Sequence, residues 1–186
     1  MKFTVEQVLD DNAIGAFYNL YVGAFGPLKT EAAARHLLTR EEFEGEMRDK
    51  RIDKYVVTDG ERSPIALATL TRDLTVVPWI SFDYYYSRYR DAIEHGVLFY
   101  LGYILVGDSH RRSKALLMLT DRINRTLSDA GGVLGFDLCQ RNDKHGIGRL
   151  ALKLLGSSKE IELLDTQNYY AADYQTVTMA AAPLAN

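Results

Sequence analysis

The chain has 186 residues, of which 47% are hydrophobic and 25% charged, and these proportions are typical of a globular domain rather than a disordered chain. Its formal net charge of −3 argues against nucleic-acid binding by bulk charge, because no excess of cations is present to displace counterions. The single cysteine, Cys139, excludes an internal disulfide framework and is typical of a reducing compartment.

No segment of the sequence predicts a membrane anchor. The opening MKFTVEQVLDDN lacks an apolar core of the signal-peptide type. The longest apolar run, VLFYLGYILVG from Val97, is shorter than the ~20 residues that cross a bilayer. We therefore expect a cytoplasmic protein. The four histidines show no metal-ligand spacing such as HxxxH, so we expect no metal.

The first third of the chain predicts one strand and a set of helices. KFTVEQV alternates as a short strand does, and Asn12 is a candidate cap for the helix that follows. That helix has one apolar face and ends at the GPL of residues 26–28, and its face consists of Ile14, Phe17, Tyr21 and Phe25. TEAAARHLL predicts a further helical turn or two.

A capping box begins the next helix, because Thr39 and Glu42 have the required spacing. Phe43 and Met47 supply its narrow apolar stripe. KYVVTDG and SPIALATLTRDL then read as two strands joined by a loop rich in Asp, Gly, Ser and Pro, which predicts an antiparallel pair.

Aromatic residues are concentrated in TVVPWISFDYYYSRYRDAIEHG, which includes Trp79, Tyr84 and Tyr85. Pro78 argues against a central strand here. We expect a helix or an ordered loop that packs its rings over a cavity. Asp73, Asp83, Glu94 and His95 lie close by and are candidate bases, although each residue is also typical of a solvated surface.

In the second half, strands alternate with helices. Residues 97–106 predict the central strand of the sheet, covered on both faces because the run lacks polar alternation. The next helix has Leu116, Leu119, Ile123 and Leu127 on one face and ends at Gly131. VLGFDLCQ predicts a strand, GIGRLALKLLG a helix and KEIELLDTQ a last strand. This order indicates an α/β sheet that is partly antiparallel, in one domain over 1–176 with a frayed tail at 177–186.

Positive charge lies where the strand that ends at Val106 passes into a helix, in the stretch LVGDSHRRSKALLMLTDRI. The first amides of a helix are unpaired and carry a partial positive charge, so basic neighbours there favour a bound anion such as a pyrophosphate. A solvated turn is an equally good interpretation on spacing alone. Both remain open at this point.

The order of elements, together with YILVGDSHRRSKALLML, resembles the GNAT acyltransferase superfamily over roughly residues 3–174. In that superfamily the fourth strand leads into a loop that begins with Arg or Gln, and its amides hold the pyrophosphate of acetyl-CoA. Val106 falls on the strand-terminal valine and Arg111 on the leading arginine. Lys114 and Leu116 replace the two small residues of that loop.

The resemblance implies a mixed, mostly antiparallel central sheet flanked by helices, and acetyl-CoA or another acyl-CoA as the co-substrate. The pyrophosphate would be bound by the loop and first helical turn, formed by Arg111, Arg112, Ser113, Lys114, Ala115 and Leu116. The thioester carbonyl would lie along the backbone of Ile104, Leu105 and Val106. Gly102 marks a possible bulge in that strand, or only relieves crowding against its neighbour.

The resemblance also bears on the catalytic residues. The family frequently places a tyrosine in the helix after the fifth strand, where this chain has Leu152. Tyr169, Tyr170 and Tyr174 are the candidate substitutes, with ordinary packing as the alternative. Trp79, Tyr84 and Tyr85 are candidates for binding the acceptor or a long acyl chain, and a dimer face is the equally good alternative.

These observations predict an N-acyltransferase that moves an acetyl or longer acyl group from acyl-CoA to a small-molecule or peptide amine, with no nucleic-acid or membrane partner. Two alternatives remain. One is a GNAT-fold module that has lost catalysis and serves binding or assembly, which the loop without glycine and the missing tyrosine favour. The other is an enzyme with a long-chain or carrier-protein-bound donor.

Overall fold

The computed structural model describes residues 1–33, 37–110, 114–144, 146, 149–150, 153–154 and 161–171. The strands are β1 (Lys2–Glu6), β2 (Ile52–Thr58), β3 (Pro64–Thr71), β4 (Leu98–Val106) and β5 (Val133–Phe136). The helices are α1 (Asp11–Phe25), α2 (Leu28–Glu31), α3 (Arg40–Arg48), α4 (Phe82–Glu94), α5 (Ala115–Ala130) and α6 (Gln140–Lys144).

The five strands form one sheet in chain order. Each of the first three strands is antiparallel to the next, and β5 is parallel to β4. A parallel neighbour requires a crossover, which α5 provides. Helices cover both faces of the sheet. The predicted fold class, a mixed and mostly antiparallel sheet flanked by helices, is confirmed.

Two hydrophobic cores sandwich the sheet. On one face α5 packs Leu119 and Ile123 against side chains of β2, β3 and β4. On the other face α1 and α3 bury their predicted stripes, and Phe43 and Met47 are fully buried there. The aromatic helix α4 packs beside the first half of β4, where Tyr85 and Tyr100 meet edge to face.

The structure corrects three details of the predicted elements. Helix α1 is capped by Asp10, whose carboxylate accepts from the Ala13 amide, because this residue and not Asn12 stands before the first helical turn. The middle strand is β3 rather than β4, and seven of its eight residues are buried. Helix α6 follows β5 closely and was not predicted.

The predicted strand KEIELLDTQ is wrong over its described part, since residues 161–171 have no regular structure. Ile161 and Leu163 are both exposed, so the segment has no buried face of the kind that a strand needs. Side-chain contacts attach it to α4: Arg88 pairs with Glu162, and the Tyr84 hydroxyl donates to the Leu164 carbonyl.

The predicted domain end at 176, the tail 177–186 and most of the predicted helix GIGRLALKLLG lie outside the described residues. Within the described part of the chain, no helix is both long and apolar enough to cross a bilayer.

Candidate functional site

Strands β4 and β5 separate in the middle of the sheet. Their pairing ends at Leu101 and Phe136, and the second half of β4 continues alongside β3. At the same point β4 contains one extra residue, because Thr69 pairs with Tyr103 whereas Leu70 pairs with Leu101. The residue left over is Gly102, so the predicted bulge is present where the strands part. Backbone groups on the open side of β4 are thereby available to an extended ligand.

Gly102 also meets the second expectation, that it relieves crowding. A Cβ atom at this position would lie 2.6 Å from the Thr69 Oγ1 atom of the neighbouring strand. The bulge therefore requires a residue without a side chain. Gly102 both marks the bulge and relieves crowding, because the same close approach of β4 to Thr69 accounts for both interpretations.

Only part of the predicted pyrophosphate loop is described. Arg111, Arg112 and Ser113 lie outside the described residues. Lys114 is exposed and precedes α5, and its side chain makes no capping hydrogen bond. Ala115 is buried and Leu116 is half-buried. The loop's contact with phosphate stays a prediction.

The predicted carbonyl-binding strand segment lies in the opened half of β4. Leu105 is buried in the core beneath α1 and α3. Ile104 and Val106 pack against the core beneath α5. Because their side chains pack against the two cores, the backbone of these residues is the part best placed to contact a donor.

A small cavity next to the bulge contains a carboxylate that the sequence did not single out. We call it the Glu46 pocket, and its polar and aromatic walls are Glu46, Thr69, Thr71, Trp79, Tyr100 and Gly102. It has about 20 Å³ of space, which is enough for one water-sized group. Helix α3 supplies Glu46, β3 the two threonines and β4 the glycine, so the fold brings distant segments together here.

Desolvation dominates the electrostatics of Glu46. The pKa of its carboxyl is raised to about 7 because burial penalises the charged form, against the opposing influence of Thr69, Lys54 and Tyr103. The Lys54 ammonium is fully buried and donates to the carbonyls of Gln7, Asp49 and Ile52 at 2.8, 2.6 and 2.7 Å. Desolvation lowers the pKa of Lys54 to about 8, while Glu46 favours its charged form.

Two hydroxyl groups beside this carboxylate are buried without a hydrogen-bond partner among the described residues, those of Thr69 and Tyr103. They lie close enough to Glu46 to influence its pKa, although neither forms a bond of full geometry with it. The pKa of Tyr103 is raised well above its ordinary value by burial and by the Glu46 charge. Buried polar groups normally have partners, so the unsatisfied hydroxyl of Thr69, which lines the Glu46 pocket, favours a ligand there.

The three predicted acceptor-binding aromatics are neighbours in the structure. Tyr85 is buried against Tyr100, whereas Trp79 and Tyr84 are exposed at 49% and 38%. All three line a wide groove on the open side of β5, which we call the β5 groove. Their role in binding stays a prediction.

Tyr169 and Tyr170 line the same groove but lie at the surface, 53% and 91% exposed. Their catalytic role stays a prediction, and Tyr174 lies outside the described residues. The other candidate bases belong to local structure. Asp73 caps a short 3-10 helix, and Asp83 is exposed in the first turn of α4. Glu94 accepts from the Tyr86 hydroxyl, and the His95 ring contacts the Asp91 carbonyl.

Solved structures of acetyltransferases share this architecture. An aminoglycoside 6'-N-acetyltransferase from Acinetobacter haemolyticus matches 92% of this chain and 100% of its own, with a TM-score of 0.52 and 14% identity. A probable acetyltransferase matches 93% and 100%, with a TM-score of 0.57 and 12% identity. An acetyltransferase from Trypanosoma brucei matches 90% and 100%, with a TM-score of 0.50 and 14% identity. The chain has the GNAT fold.

The GNAT resemblance predicted from the sequence is thereby confirmed at the level of the fold. No family model matches the chain, and no curated protein sequence matches it. Among the described residues no group of three or more His, Cys, Asp or Glu side chains is placed to hold a metal ion.

Glu46 is the principal candidate functional residue that sequence reasoning missed. It lies in the strongly charged string REEFEGEMR, which is typical of a solvated helix. One signal was available: Glu46 follows Phe43 by three residues and precedes Met47, and this spacing puts it on the edge of the buried face.

Proposed function

We propose that this GNAT-fold chain is an acyl-CoA-dependent N-acyltransferase in which Glu46 accepts a proton from the acceptor amine. The observation that carries the proposal is the position of a desolvated carboxylate, with a pKa near 7, in a cavity whose wall includes the β4 bulge. A base with a pKa close to the working pH is suited to proton transfer, because it is substantially deprotonated and still basic.

The chemistry then requires no covalent enzyme intermediate. Glu46 takes a proton from the ammonium group of the acceptor, and the free amine nitrogen attacks the thioester carbonyl carbon. The tetrahedral intermediate collapses as the C–S bond breaks. The thiolate takes a proton from Tyr169 or Tyr170, the predicted donors, and that tyrosine recovers a proton from the nitrogen, which loses one as the amide forms. Amide groups of Ile104 to Val106 would stabilise the oxyanion.

The separated strands support an acyl-CoA donor. An acyl-pantetheine arm is extended and rich in amides, so it can continue the pattern of hydrogen bonding where β4 has lost its β5 neighbour. The loop from Arg111 to Leu116 follows β4 closely and would hold the diphosphate. A cytoplasmic location is part of the proposal, supported by the single cysteine.

Donor binding is tested by the melting temperature of the pure protein with acetyl-CoA, longer acyl-CoAs and acylated carrier protein. A ligand at a hundred times its Kd adds about 2.7 kcal/mol of apparent stability. Release of free thiol on addition of primary amines tests turnover. Stabilisation by acyl-CoA without thiol release would favour the binding module, and stabilisation by carrier protein alone would favour the carrier-bound donor.

The predicted loop is tested by the double variant Arg111→Ala, Lys114→Ala, which should bind acetyl-CoA at least tenfold more weakly and melt normally. The matched control removes two positive charges from exposed positions elsewhere, Lys50→Ala with Arg125→Ala. The assignment of this loop is contradicted if both double variants lose the same affinity for acetyl-CoA, or if neither double variant loses any.

A further inference from the structure

One wall separates the Glu46 pocket from the β5 groove, and two aromatic side chains form it. Trp79 and Tyr100 line both cavities. Both donate to the same oxygen of Asp137: the Tyr100 hydroxyl at 2.6 Å and the Trp79 indole nitrogen at 3.1 Å. Asp137 follows β5 immediately, at the point where β5 leaves β4. The separation of the strands therefore places this carboxylate beside the proposed site.

The negative charge of Asp137 is not neutralised within the described part of the chain. None of the ion pairs there includes Asp137, which is itself exposed. Burial is the main cause of the raised pKa values of Tyr85 and Tyr100, and the Asp137 charge adds to both shifts. A negative charge therefore lies at this wall.

Basic residues also line the β5 groove, so their positions matter. Arg141 pairs with Glu31. Lys144 and Arg149 line the groove as well, yet neither lies within ion-pair distance of Asp137. Coulomb attraction falls with distance and is screened by solvent. Because Asp137 is the nearest charged group, this wall attracts positive charge.

We propose that Asp137 and the exposed face of Trp79 bind a second positive charge on the acceptor. A carboxylate beside an indole face attracts ammonium groups through charge and through the ring quadrupole. The preferred substrates are then diamines: one amine enters the Glu46 pocket, and the second ammonium group remains at the Asp137 wall. This inference rests on the proposed acyltransferase function and adds the substrate class.

Trp79 is the single tryptophan of the chain, so its fluorescence reports on this wall without any turnover. The experiment titrates the protein with α,ω-diaminoalkanes of three to eight carbons, with 1-aminoalkanes of the same lengths and with 6-aminohexanoate. We expect diamines to change the emission, with at least tenfold lower Kd than monoamines of equal length. The aminocarboxylate should bind most weakly, because its carboxylate faces Asp137.

Turnover with acetyl-CoA should show the same ranking in kcat/KM. The variant Asp137→Asn keeps an oxygen for the Tyr100 and Trp79 donors but removes the charge, and it should bring the diamine-to-monoamine ratio close to one. The matched control, Asp143→Asn, neutralises another carboxylate of the same groove and should keep the ratio. Melting curves of both variants establish that the fold is intact.

Equal Kd values for diamines and monoamines, or an unchanged ratio in Asp137→Asn, overturn the second cation site. If monoamines are acetylated in that case, the acyltransferase function stands and only the substrate class is wrong. If no amine is acetylated but diamines still change the emission in an Asp137-dependent way, the cation site stands and the proposed reaction is wrong.

Discussion

At the scale of single residues, Glu46 shows how a fold gives a common side chain an uncommon property. Its helix neighbours Glu44 and Arg48 form exposed ion pairs, and the pKa of Glu44 is lowered by its hydrogen bonds to arginines. Two residues further along the helix, Glu46 faces the sheet instead, and burial raises its pKa to about 7. Glu44 and Glu46 thus point in different directions from the helix axis. The Glu44 carboxylate forms surface ion pairs, whereas the Glu46 carboxyl can exchange a proton near neutral pH.

We predict that Glu46→Gln stabilises the protein above pH 7 and abolishes most acyl transfer. The folded protein holds a proton on Glu46 up to about pH 7, while the unfolded chain loses it near the ordinary value of 4.5. Stability from this group is therefore complete below pH 4.5 and is lost as the pH rises through about 7. Each pKa unit corresponds to about 1.4 kcal/mol, so after allowance for partial exposure we expect a gain of about 2 kcal/mol at pH 8.

Urea unfolding of the wild type and of Glu46→Gln between pH 5 and pH 8 measures this difference in stability. The rate of thiol release should rise with pH through about 7 in the wild type and not in the variant. Glu41→Gln is the control, since Glu41 is an exposed glutamate of the same helix. A stability difference between wild type and Glu46→Gln that does not change with pH would show that the Glu46 carboxyl is not desolvated.

At the scale of elements, the strongest sequence signals were local and correct. The capping box of α3 forms both of its bonds, from the Glu42 amide to the Thr39 hydroxyl and from the Thr39 amide to the Glu42 carboxylate, at 3.2 and 2.7 Å. Signals failed where an element depends on a distant partner. A strand needs the edge of a sheet to pair with. The apolar side chains of residues 161–164 do not indicate whether the edge at β5 is available for such pairing.

The site was only partly predictable for the same reason. Gly102 was recognisable as a bulge candidate because a glycine inside a strand weakens the strand and often marks a bulge. The role proposed for Asp137 depends on Tyr100 and Trp79, which lie 37 and 58 residues away along the chain. The role proposed for Glu46 depends in the same way on side chains of β3 and β4 that line its pocket. No local pattern specifies such contacts.

We predict that Gly102→Ala destabilises the protein by about 1–3 kcal/mol, the range for overpacked sites, because the added Cβ would lie 2.6 Å from the Thr69 Oγ1 atom. The second variant, Thr69→Ala, removes that oxygen, so the double variant should lose less stability than the sum of the two single changes. Denaturant unfolding of the three variants gives the coupling energy.

Gly45→Ala is the matched control, because its Cβ would have no neighbour within 4 Å in α3. We expect this change to stabilise the protein by about 0.5–1 kcal/mol, as alanine does inside a helix. Additive effects of Gly102→Ala and Thr69→Ala would mean that the close approach at the bulge is not the source of the cost.

At the scale of the whole molecule, the sheet divides into a continuous part and an opened part. Strands β1 to β4 pair along most of their lengths, and β3 is buried between two neighbours. Strand β5 has four paired residues and is attached through a parallel ladder to half of β4. Local opening follows such differences in pairing and burial, so β5 and the second half of β4 should open at lower free energy than β3.

Hydrogen exchange tests this division and the proposed donor position together. Without ligand, we expect the amides of β3 to exchange by global unfolding and those of β5 at rates at least tenfold faster. Acetyl-CoA between the strands would slow exchange of the amides in 102–106 that face away from β3, and of the amides of β5. This slowing should exceed the slowing in β1 and β2 that global stabilisation causes.

Coenzyme A without an acyl group separates protection by the diphosphate from protection by the acyl group. It can occupy the phosphate loop while leaving the carbonyl position at Ile104 to Val106 less protected. Protection that appears only in α4, or equally in every strand, would contradict a donor bound where β4 and β5 part, because a ligand protects first the amides that it contacts.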